Sequence, residues 1–233
     1  MYHFVGIKGT GMSSLAQIMN ELGYEVNGSD VEKHFFTEEG LIARNIEITT
    51  YSEENIKDNM IIIKGASIKD DNPEIIKAEE LNLKIYTYNE FLGKLTEKFK
   101  SICIAGCHGK TTTTAMASLV LNEIKGSNYL IGDGTGYASE GNELFILESC
   151  EYKRHFLSYH PYYAVITNID LDHVDYYKNI DDVIDAYREF ANKAEKMVIA
   201  CGDDPYTHTL EINPPIFYYG LDDRSEEHTS ELQ

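Results

Sequence analysis

The feature that most constrains the fold is a stretch from Ser101 to Ile124, SICIAGCHGKTTTTAMASLVLNEI. A short apolar run, Ile102–Ala105, breaks into a turn bounded by Gly106 and Gly109 and continues as an amphipathic segment. The apolar residues of that segment recur at helical spacing and are Met116, Leu119, Val120 and Ile124. We therefore expect a strand, a glycine turn and a helix. This order suits nucleotide phosphates, because backbone N–H groups and the positive end of the helix face the oxygens.

The start of the predicted helix carries a lysine and a run of threonines, which suit a phosphate and its metal ion. Lys110 would place a positive charge on the terminal phosphates, and the hydroxyl of Thr111 would ligate Mg²⁺. The predicted ATP-binding residues of this turn are Gly106, Cys107, His108, Gly109, Lys110, Thr111 and Thr112. A tight turn followed by an ordinary surface lysine stays open as the alternative interpretation.

The spacing of the turn departs from the common phosphate loop, which has four residues between its glycines. Here Gly106 and Gly109 enclose only Cys107 and His108, so ordinary kinases and GTPases match less well. The run GCHGKTTTT resembles the loop of the Mur ligases, which are ATP-dependent enzymes that form amide bonds in peptidoglycan synthesis. That resemblance implies ATP and Mg²⁺ as cofactors.

Length and charge narrow the class of protein. The 233 residues are 42% hydrophobic and 25% charged, which predicts a globular chain with room for two domains. The net charge of -19 argues against a nucleic-acid partner and against an anionic membrane surface. Because no stretch is long and apolar enough to cross a bilayer and the first predicted strand begins at Tyr2, we expect no membrane insertion, no signal peptide and a cytoplasmic location.

The first predicted domain, residues 1–97, alternates strands and helices. Its predicted elements are strands over Tyr2–Gly6, Tyr24–Asn27, Met60–Lys64 and Lys84–Tyr86, and helices over Met12–Leu22, from Pro73, and over Tyr88–Phe99. This alternation predicts a Rossmann-like α/β domain with a parallel, doubly wound sheet. Asp30 lies near the tip of the second strand, as an acidic residue does in dinucleotide-binding folds. The loop spacing GxxGxG differs from GxGxxG, so NAD and the diphosphate of a UDP-sugar both stay open.

Several runs of the first domain resemble one branch of the Mur ligases. They are GIKGTGMSSLA, VNGSD, and Asn72-Pro73-Glu74 after Gly65-Ala66-Ser67. That branch joins L-alanine to UDP-N-acetylmuramate, and its first domain holds UDP, so the resemblance implies these two substrates. The implied UDP-sugar-binding residues are Gly9, Thr10, Gly11, Met12, Asp30 and Ser67.

The second predicted domain, residues 101–223, has a phosphate-loop fold with a further parallel, doubly wound sheet. Its later predicted elements are strands over Leu144–Leu147, Tyr163–Thr167, Met197–Ala200 and Ile216–Tyr219, and a helix over Asp181–Lys196. Glu148 follows the first of these strands. A carboxylate at the carboxyl end of a parallel strand points into the ligand crevice, which makes Glu148 a predicted Mg²⁺ ligand. For Glu151, a site role and a solvated turn both stay open.

The strand over Tyr163–Thr167 runs into a polar loop. Asn168 follows it at once, and His173 lies farther on among three aspartates. Functional residues concentrate on such loops, so His173 is a predicted metal ligand, and Asn168 is predicted to bind nucleotide or substrate. The aspartates, whose individual roles stay open, are Asp170, Asp172 and Asp175.

The runs ILESCEYKRHFL and VITNIDLDHVDYY resemble the same branch of the family. The resemblance implies Lys110, Glu148 and His173 for catalysis, Asn168 as a further ATP-binding residue, and Thr111, Glu148 and His173 for Mg²⁺. Many relatives carry an acidic residue in place of Cys150 and a serine in place of Tyr152. These departures leave the roles of Cys150 and Glu151 open.

The implied activity is ATP-dependent amide formation between L-alanine and UDP-N-acetylmuramate through an acyl phosphate. The alternatives are a sister ligase that attaches a whole peptide, an NAD-dependent oxidoreductase, and a nucleotide-binding module without catalysis. Relatives carry a third, C-terminal domain, so we expect the central domain to be incomplete and this chain alone to form no amide. Residues Arg224–Gln233 match a common sequencing adapter read in frame, and we predict a non-native tail. The sequence does not indicate the oligomeric state.

Overall fold

The computed structural model describes residues 1–221. The chain divides into two compact units: Met1–Leu92 with Val120–Glu143, and Gly93–Leu119 with the chain from Leu144 onward. The predicted domain boundaries at 97 and 101 stay predictions, and the predicted tail, 224–233, lies outside the described residues.

Strands and helices alternate along much of the described chain. The strands are β1 (Tyr2–Val5), β2 (Val26–Asp30), β3 (Glu47–Thr50), β4 (Ile61–Lys64), β5 (Lys84–Thr87), β6 (Lys100–Ala105), β7 (Asn128–Leu130), β8 (Gly136–Tyr137), β9 (Leu144–Glu148), β10 (Tyr163–Ile166), β11 (Met197–Cys201) and β12 (Ile216–Tyr219). The helices are α1 (Thr10–Glu21), α2 (Glu38–Ile42), α3 (Pro73–Glu80), α4 (Tyr88–Thr96), α5 (Lys110–Lys125) and α6 (Ile180–Ala191). Within the described chain, no helix has the length and apolar character needed to cross a membrane.

A parallel sheet with the strand order β3-β2-β1-β4-β5 organises the first unit. Its central strand, β1, pairs with β2 from Tyr2↔Val26 and with β4 from Tyr2↔Ile61. Apolar side chains of the strands and of α1, including Phe4, Leu15 and Ile62, are fully buried. The predicted parallel α/β fold is therefore confirmed for this unit.

In the first unit, α3 shows how local sequence sets the start of a helix. α3 begins at Pro73, as predicted, because a proline at the first helical position needs no hydrogen-bonded N–H. The preceding Asn72 caps the helix by accepting a hydrogen bond from the backbone N–H of Glu74 at 2.9 Å. α2 and β3 were not predicted, because one is only 5 residues long and the other is a half-exposed edge strand.

The hairpin of β7 and β8 also belongs to the first unit, where it packs on α1. The amide of Gln17 donates to the carbonyl of Gly134 at 2.9 Å, and the backbone N–H of Ala138 donates to Glu21 at 2.6 Å. A Cβ atom at Gly136 would lie 2.1 Å from the carbonyl oxygen of Ser14. The glycine-rich run in this hairpin therefore permits close backbone approach to α1.

In the second unit, the parallel strands lie in the order β12-β11-β10-β6-β9. β6, which precedes the glycine turn, pairs with β10 and with β9, so the ends of these three strands lie side by side. The predicted inner face of α6 is confirmed, since Val183, Tyr187 and Phe190 are buried. The helix is shorter than predicted and ends before Asn192, which is its C-terminal cap.

Two further predictions are corrected by the structure. The apolar residues of α5 do not face the core, because Met116, Leu119, Val120 and Ile124 are exposed by 54% to 74% of their surface. The buried residues of this helix are instead Thr114 and Ser118. In the first unit, β2 begins at Val26 and contains the Gly28-Ser29-Asp30 run that was predicted to follow it.

Candidate functional site

The turn between β6 and α5 has the backbone that its glycines predict. Gly106 and Gly109 have φ angles of 147° and 79°, in the region that side chains rarely adopt. A Cβ atom at Gly106 would lie 1.9 Å from Thr167 Oγ1. The first amides of α5 have no partner within the helix, so the turn presents donors and a positive helix end. These are the features that a phosphate requires.

Lys110, the first residue of α5, points back into the turn. Its Nζ donates to the carbonyl of Gly106 at 2.6 Å and to Glu151 Oε2 at 3.0 Å. The lysine side chain is 14% exposed and the glutamate side chain 1% exposed, so the ion pair is largely out of water. The ion pair fixes the direction of the Lys110 side chain, so its ammonium group is placed to bind an anion at the turn.

Asn168 ties the turn to the end of β10. Its Oδ1 accepts from the backbone N–H of His108 at 2.9 Å, and its Nδ2 donates to the carbonyl of His108 at 2.8 Å. The structure therefore brings Asn168 to the predicted phosphate turn. Its direct contact is with protein backbone, and its contact with nucleotide stays a prediction.

Cys107 packs beneath the same turn. Its Sγ accepts from the backbone N–H of Asp170 at 3.1 Å and lies 3.0 Å from that residue's carbonyl oxygen, to which the thiol donates. Burial raises the pKa of the Cys107 thiol above its ordinary value of 9.0. The side chain of His108, by contrast, is exposed.

The predicted metal ligands fall into two contacting groups. Thr111 Oγ1 donates to Glu148 Oε2 at 2.8 Å, at the end of β9. His173 faces Glu151 instead, with 3.5 Å between its Nε2 and Glu151 Oε1. Glu151, Asp172 and His173 each present one ligand atom within 4.8 Å of the others. The metal roles of Thr111, Glu148 and His173 stay predictions, and the structure adds Glu151 beside them.

Glu151 is the functional candidate that the sequence left open. A solvated turn is excluded, because the residue is 1% exposed between Lys110 and His173. The hydroxyl of the buried Tyr177 donates to its backbone carbonyl at 2.5 Å and holds the segment in place. Its place three residues past a strand end gave only a weak signal, since charged residues after strands are usually exposed.

The donor set fits a magnesium ion. Mg²⁺ prefers hard oxygen ligands together with phosphate and water, and the hydroxyl of Thr111 and the carboxylates of Glu148 and Glu151 are such oxygens. His173 supplies a nitrogen beside them, and its backbone φ of 51° lies in the left-handed region. Residues held in such conformations cluster at binding sites, where the surrounding structure enforces them.

A cavity of about 320 Å³ lies at the glycine loop of the first unit. Its lining contains Gly9, Thr10, Asp30 and Ser67, all of which were predicted to bind a UDP-sugar. Of the other two predicted residues, Met12 is buried in the core with 5% exposure. A Cβ atom at Gly11 would lie 2.7 Å from the hydroxyl of Tyr88, so this glycine makes room for packing. Ligand contacts at this cavity stay predictions.

Asp30 organises the polar side of this cavity. Its Oδ2 accepts from the backbone N–H of Lys8 at 2.8 Å, and its Oδ1 accepts from the hydroxyl of Tyr51 at 3.3 Å. The ammonium of Lys8 pairs with Glu38 at 3.0 Å. The lining residues that sequence reasoning missed are Gly6, Lys8, Phe35, Phe36, Thr37 and Tyr51. The adjacent aromatic residues after β2 were the available signal, since binding residues are disproportionately found on loops.

Both parts of the chain match described domains of one family. The Mur ligase family catalytic domain matches residues 1–100, and the Mur ligase middle domain matches residues 104–233. The UDP-N-acetylmuramate–L-alanine ligase of Lactiplantibacillus plantarum is 50% identical over 226 residues. That alignment covers 97% of this chain and 52% of the relative, so the chain spans about half the length of this curated relative.

Solved structures agree with these matches. The UDP-N-acetylmuramate–alanine ligase of Thermotoga maritima has a TM-score of 0.80 at 28% identity, over 95% of this chain and 52% of that one. A UDP-N-acetylmuramate:L-alanyl-γ-D-glutamyl-meso-diaminopimelate ligase from Neisseria has the same TM-score of 0.80 at 22% identity, over 93% of this chain and 76% of that one, and shares the fold. From its domain matches and its two parallel α/β sheets, this chain belongs to the Mur ligase family.

Proposed function

We propose that this chain is part of an ATP-dependent ligase that joins L-alanine to the lactyl carboxylate of UDP-N-acetylmuramate. The observation that carries the proposal is the buried pair of Lys110 and Glu151 at the β6–α5 turn, with His173 beside it. The relative that is 50% identical supports the choice of substrates. The reaction would take place in the cytoplasm, where reduced cysteines such as Cys107 are the norm.

The reaction needs ATP because a carboxylate is a poor acyl donor. Transfer of the terminal phosphoryl group to the carboxylate gives an acyl phosphate, and attack by the amine of alanine releases phosphate and forms the amide. Lys110 would neutralise charge on the transferring phosphoryl group, since its ammonium already lies within the turn. The amides of the turn would hold the remaining phosphate oxygens.

The oxygen donors at the ends of the strands fit Mg²⁺ as cofactor. Thr111, Glu148 and His173 would hold the ion, and Glu151 extends this set. When bound, Mg²⁺ supplies charge neutralisation and orients the phosphates. Glu151 would also hold Lys110 and His173 in fixed directions, because its carboxylate contacts both side chains.

The cavity in the first unit would receive the UDP part of the other substrate. Gly9 and Thr10 begin α1, so the diphosphate would meet backbone N–H groups at a helix start. Asp30 and Tyr51 would hydrogen-bond the nucleoside, and the aromatic rings of Phe35 and Phe36 would pack on its flat surface.

The test measures ADP release by the intact, tail-free enzyme that contains this segment. We expect release with UDP-N-acetylmuramate only when L-alanine is also present, and weaker release with glycine or serine. Equal turnover with a tripeptide would instead assign the sister activity, in which a whole peptide is attached. Binding of NAD at the cavity in the first unit, together with an activity that does not require ATP, would overturn the proposal in favour of an oxidoreductase.

A further inference from the structure

We propose that Tyr152 is a positioning residue that holds His173 toward Glu151, so that the phosphate and metal site is preformed before nucleotide binds. The inference rests on the proposed function of the same site. It concerns a residue that lies outside the predicted ligand set and whose side chain packs against one of the predicted ligands, His173.

Tyr152 contacts the histidine directly. Its ring centroid lies 4.6 Å from that of His173, with an angle of 40° between the ring planes. The Nε2 atom of the same imidazole is 3.5 Å from Glu151 Oε1. Because the tyrosine ring packs against the imidazole at this tilt, it limits the movement of the His173 side chain, 33% of which remains exposed.

Tyr152 also contacts other residues of the loop that carries His173. Its hydroxyl donates to Asp175 Oδ2 at 2.7 Å, and its ring meets that of Tyr176 at 6.1 Å in an edge-on arrangement. One side chain therefore contacts His173, Asp175 and Tyr176. These contacts help to hold His173 at its positive φ, a conformation that persists only where surrounding groups enforce it.

The segment that carries Tyr152 is itself anchored. Lys153 and Arg154 have φ angles of 50° and 57°, so the chain makes a tight left-handed turn directly after the tyrosine. The guanidinium of Arg154 pairs with Asp182 at 2.9 Å and with Glu189 at 2.5 Å, both on α6. Because this turn is held in place, Tyr152 can orient the loop that carries His173. A side chain on a mobile segment would instead move together with that loop.

The experiment uses the intact enzyme with its histidine rings labelled with ¹³C, and His173→Gln to assign the resonance. In the wild type, the ring current of Tyr152 should displace the His173 signals. We expect Tyr152→Phe to keep that displacement and Tyr152→Ser to abolish it. Binding of magnesium with adenylyl imidodiphosphate should weaken about tenfold in Tyr152→Ser and about threefold in Tyr152→Phe, which lacks only the hydrogen bond to Asp175.

The matched control is Tyr137→Ser, which removes a tyrosine that also stacks on a ring, at 5.2 Å from Tyr129, in the hairpin of the first unit. It should leave the His173 signals and the affinity unchanged. Unmoved His173 signals in Tyr152→Ser, or an equal change in the control, would overturn the inference. If the wild type fails to bind the nucleotide, the proposed function fails, while the ring-current displacement still decides whether Tyr152 positions His173.

Discussion

Each unit of this chain buries a glutamate, and the two differ in what surrounds the carboxylate. In the first unit, Glu74 is 0% exposed, and in the second, Glu151 is 1% exposed. The oxygens of Glu74 accept from the hydroxyl of Ser29 and, at 2.6 Å, from the amide of Asn55. Its Oε2 atom also lies 3.5 Å from Nε2 of His3. Glu74 thus joins β1, β2 and the start of α3.

Glu151 faces groups of another kind. Its carboxylate contacts Lys110 and His173, which lie at a glycine turn and on a polar loop beyond a strand end. Groups on the sheet and on the segment after β3 satisfy Glu74, whereas Glu151 meets side chains that a phosphate or a metal ion would also attract. Burial of a carboxylate therefore does not identify a functional residue, and the nature of its partners does.

The largest expected effect comes from Glu151→Gln. The amide keeps the shape but removes the charge that orients Lys110 and His173, so turnover by the intact enzyme should fall about 100-fold or more. Steady-state ADP release measures the loss, and urea unfolding should show a much smaller change in stability. The control Asp185→Asn alters an exposed carboxylate of α6 that pairs with Arg188, and it should retain wild-type turnover.

If Glu151→Gln released ADP at the wild-type rate, the proposed difference in role between Glu74 and Glu151 would be wrong. That result would mean that Glu151, like Glu74, serves only the fold. Loss of folding in this variant would lead to the same conclusion, since a structural carboxylate is expected to act on stability rather than on the chemical step.

Glu74→Ala should act on stability instead. Removing the carboxylate leaves the buried hydroxyl of Ser29 without its acceptor and breaks the hydrogen bond from the half-buried amide of Asn55, which we expect to cost about 3 kcal/mol in free energy of unfolding. Urea denaturation checks this value. The exposed Glu80→Ala, which breaks an ion pair with Lys77 on the surface of α3, is the control and should change stability by less than about 0.5 kcal/mol.

The next prediction compares one glycine from each unit, because alanine at the two positions should have different costs in stability. Gly106→Ala should destabilise the chain by about 2 kcal/mol, because its φ is 147° and the added Cβ meets Thr167 Oγ1. Gly9→Ala should stay within about 0.5 kcal/mol, since its φ is -60° and the nearest atom would be 3.6 Å away. Thermal or urea unfolding measures both, and equal costs would contradict the predicted contrast.

The contribution of Glu74 to stability should also depend on pH in the acid range. Burial alone would raise its pKa, but hydrogen bonds from His3, Asn55 and Ser29 outweigh burial and hold the pKa below its ordinary value of 4.5. Its contribution is therefore complete above pH 4.5 and disappears as the pH falls through the lower folded-state value. Urea midpoints of the wild type and Glu74→Gln should differ at pH 7 and converge as the pH falls below 4.5, whereas a constant gap would contradict this pKa direction.

The same contrast explains what sequence could predict. Local patterns determine strands, helix starts and the glycine turn, so the α/β fold, the start of α3 at Pro73 and the Lys110 turn followed from the residues alone. The partner of Lys110 did not, because Glu151 and His173 meet Lys110 only once separate segments fold together. The exposure of the apolar face of α5 could not be predicted for the same reason. Periodicity shows which residues share a helix face, but not whether other segments cover that face.

The smallest expected effect concerns Cys107. This residue lies in the phosphate turn, but its side chain contacts the backbone of Asp170 rather than a charged group. Cys107→Ser should change stability by less than about 1 kcal/mol, since a hydroxyl can make the same two contacts with the backbone of Asp170. Because burial raises the pKa of this thiol above 9.0, the reactive thiolate should be scarce at neutral pH. Alkylation by iodoacetamide, followed by mass spectrometry, should therefore be slow at Cys107 at pH 8 and accelerate only above pH 9. Fast alkylation at pH 7 would indicate a thiolate stabilised by Lys110, and Cys107 would then belong with Glu151 among the groups that prepare the site for a ligand.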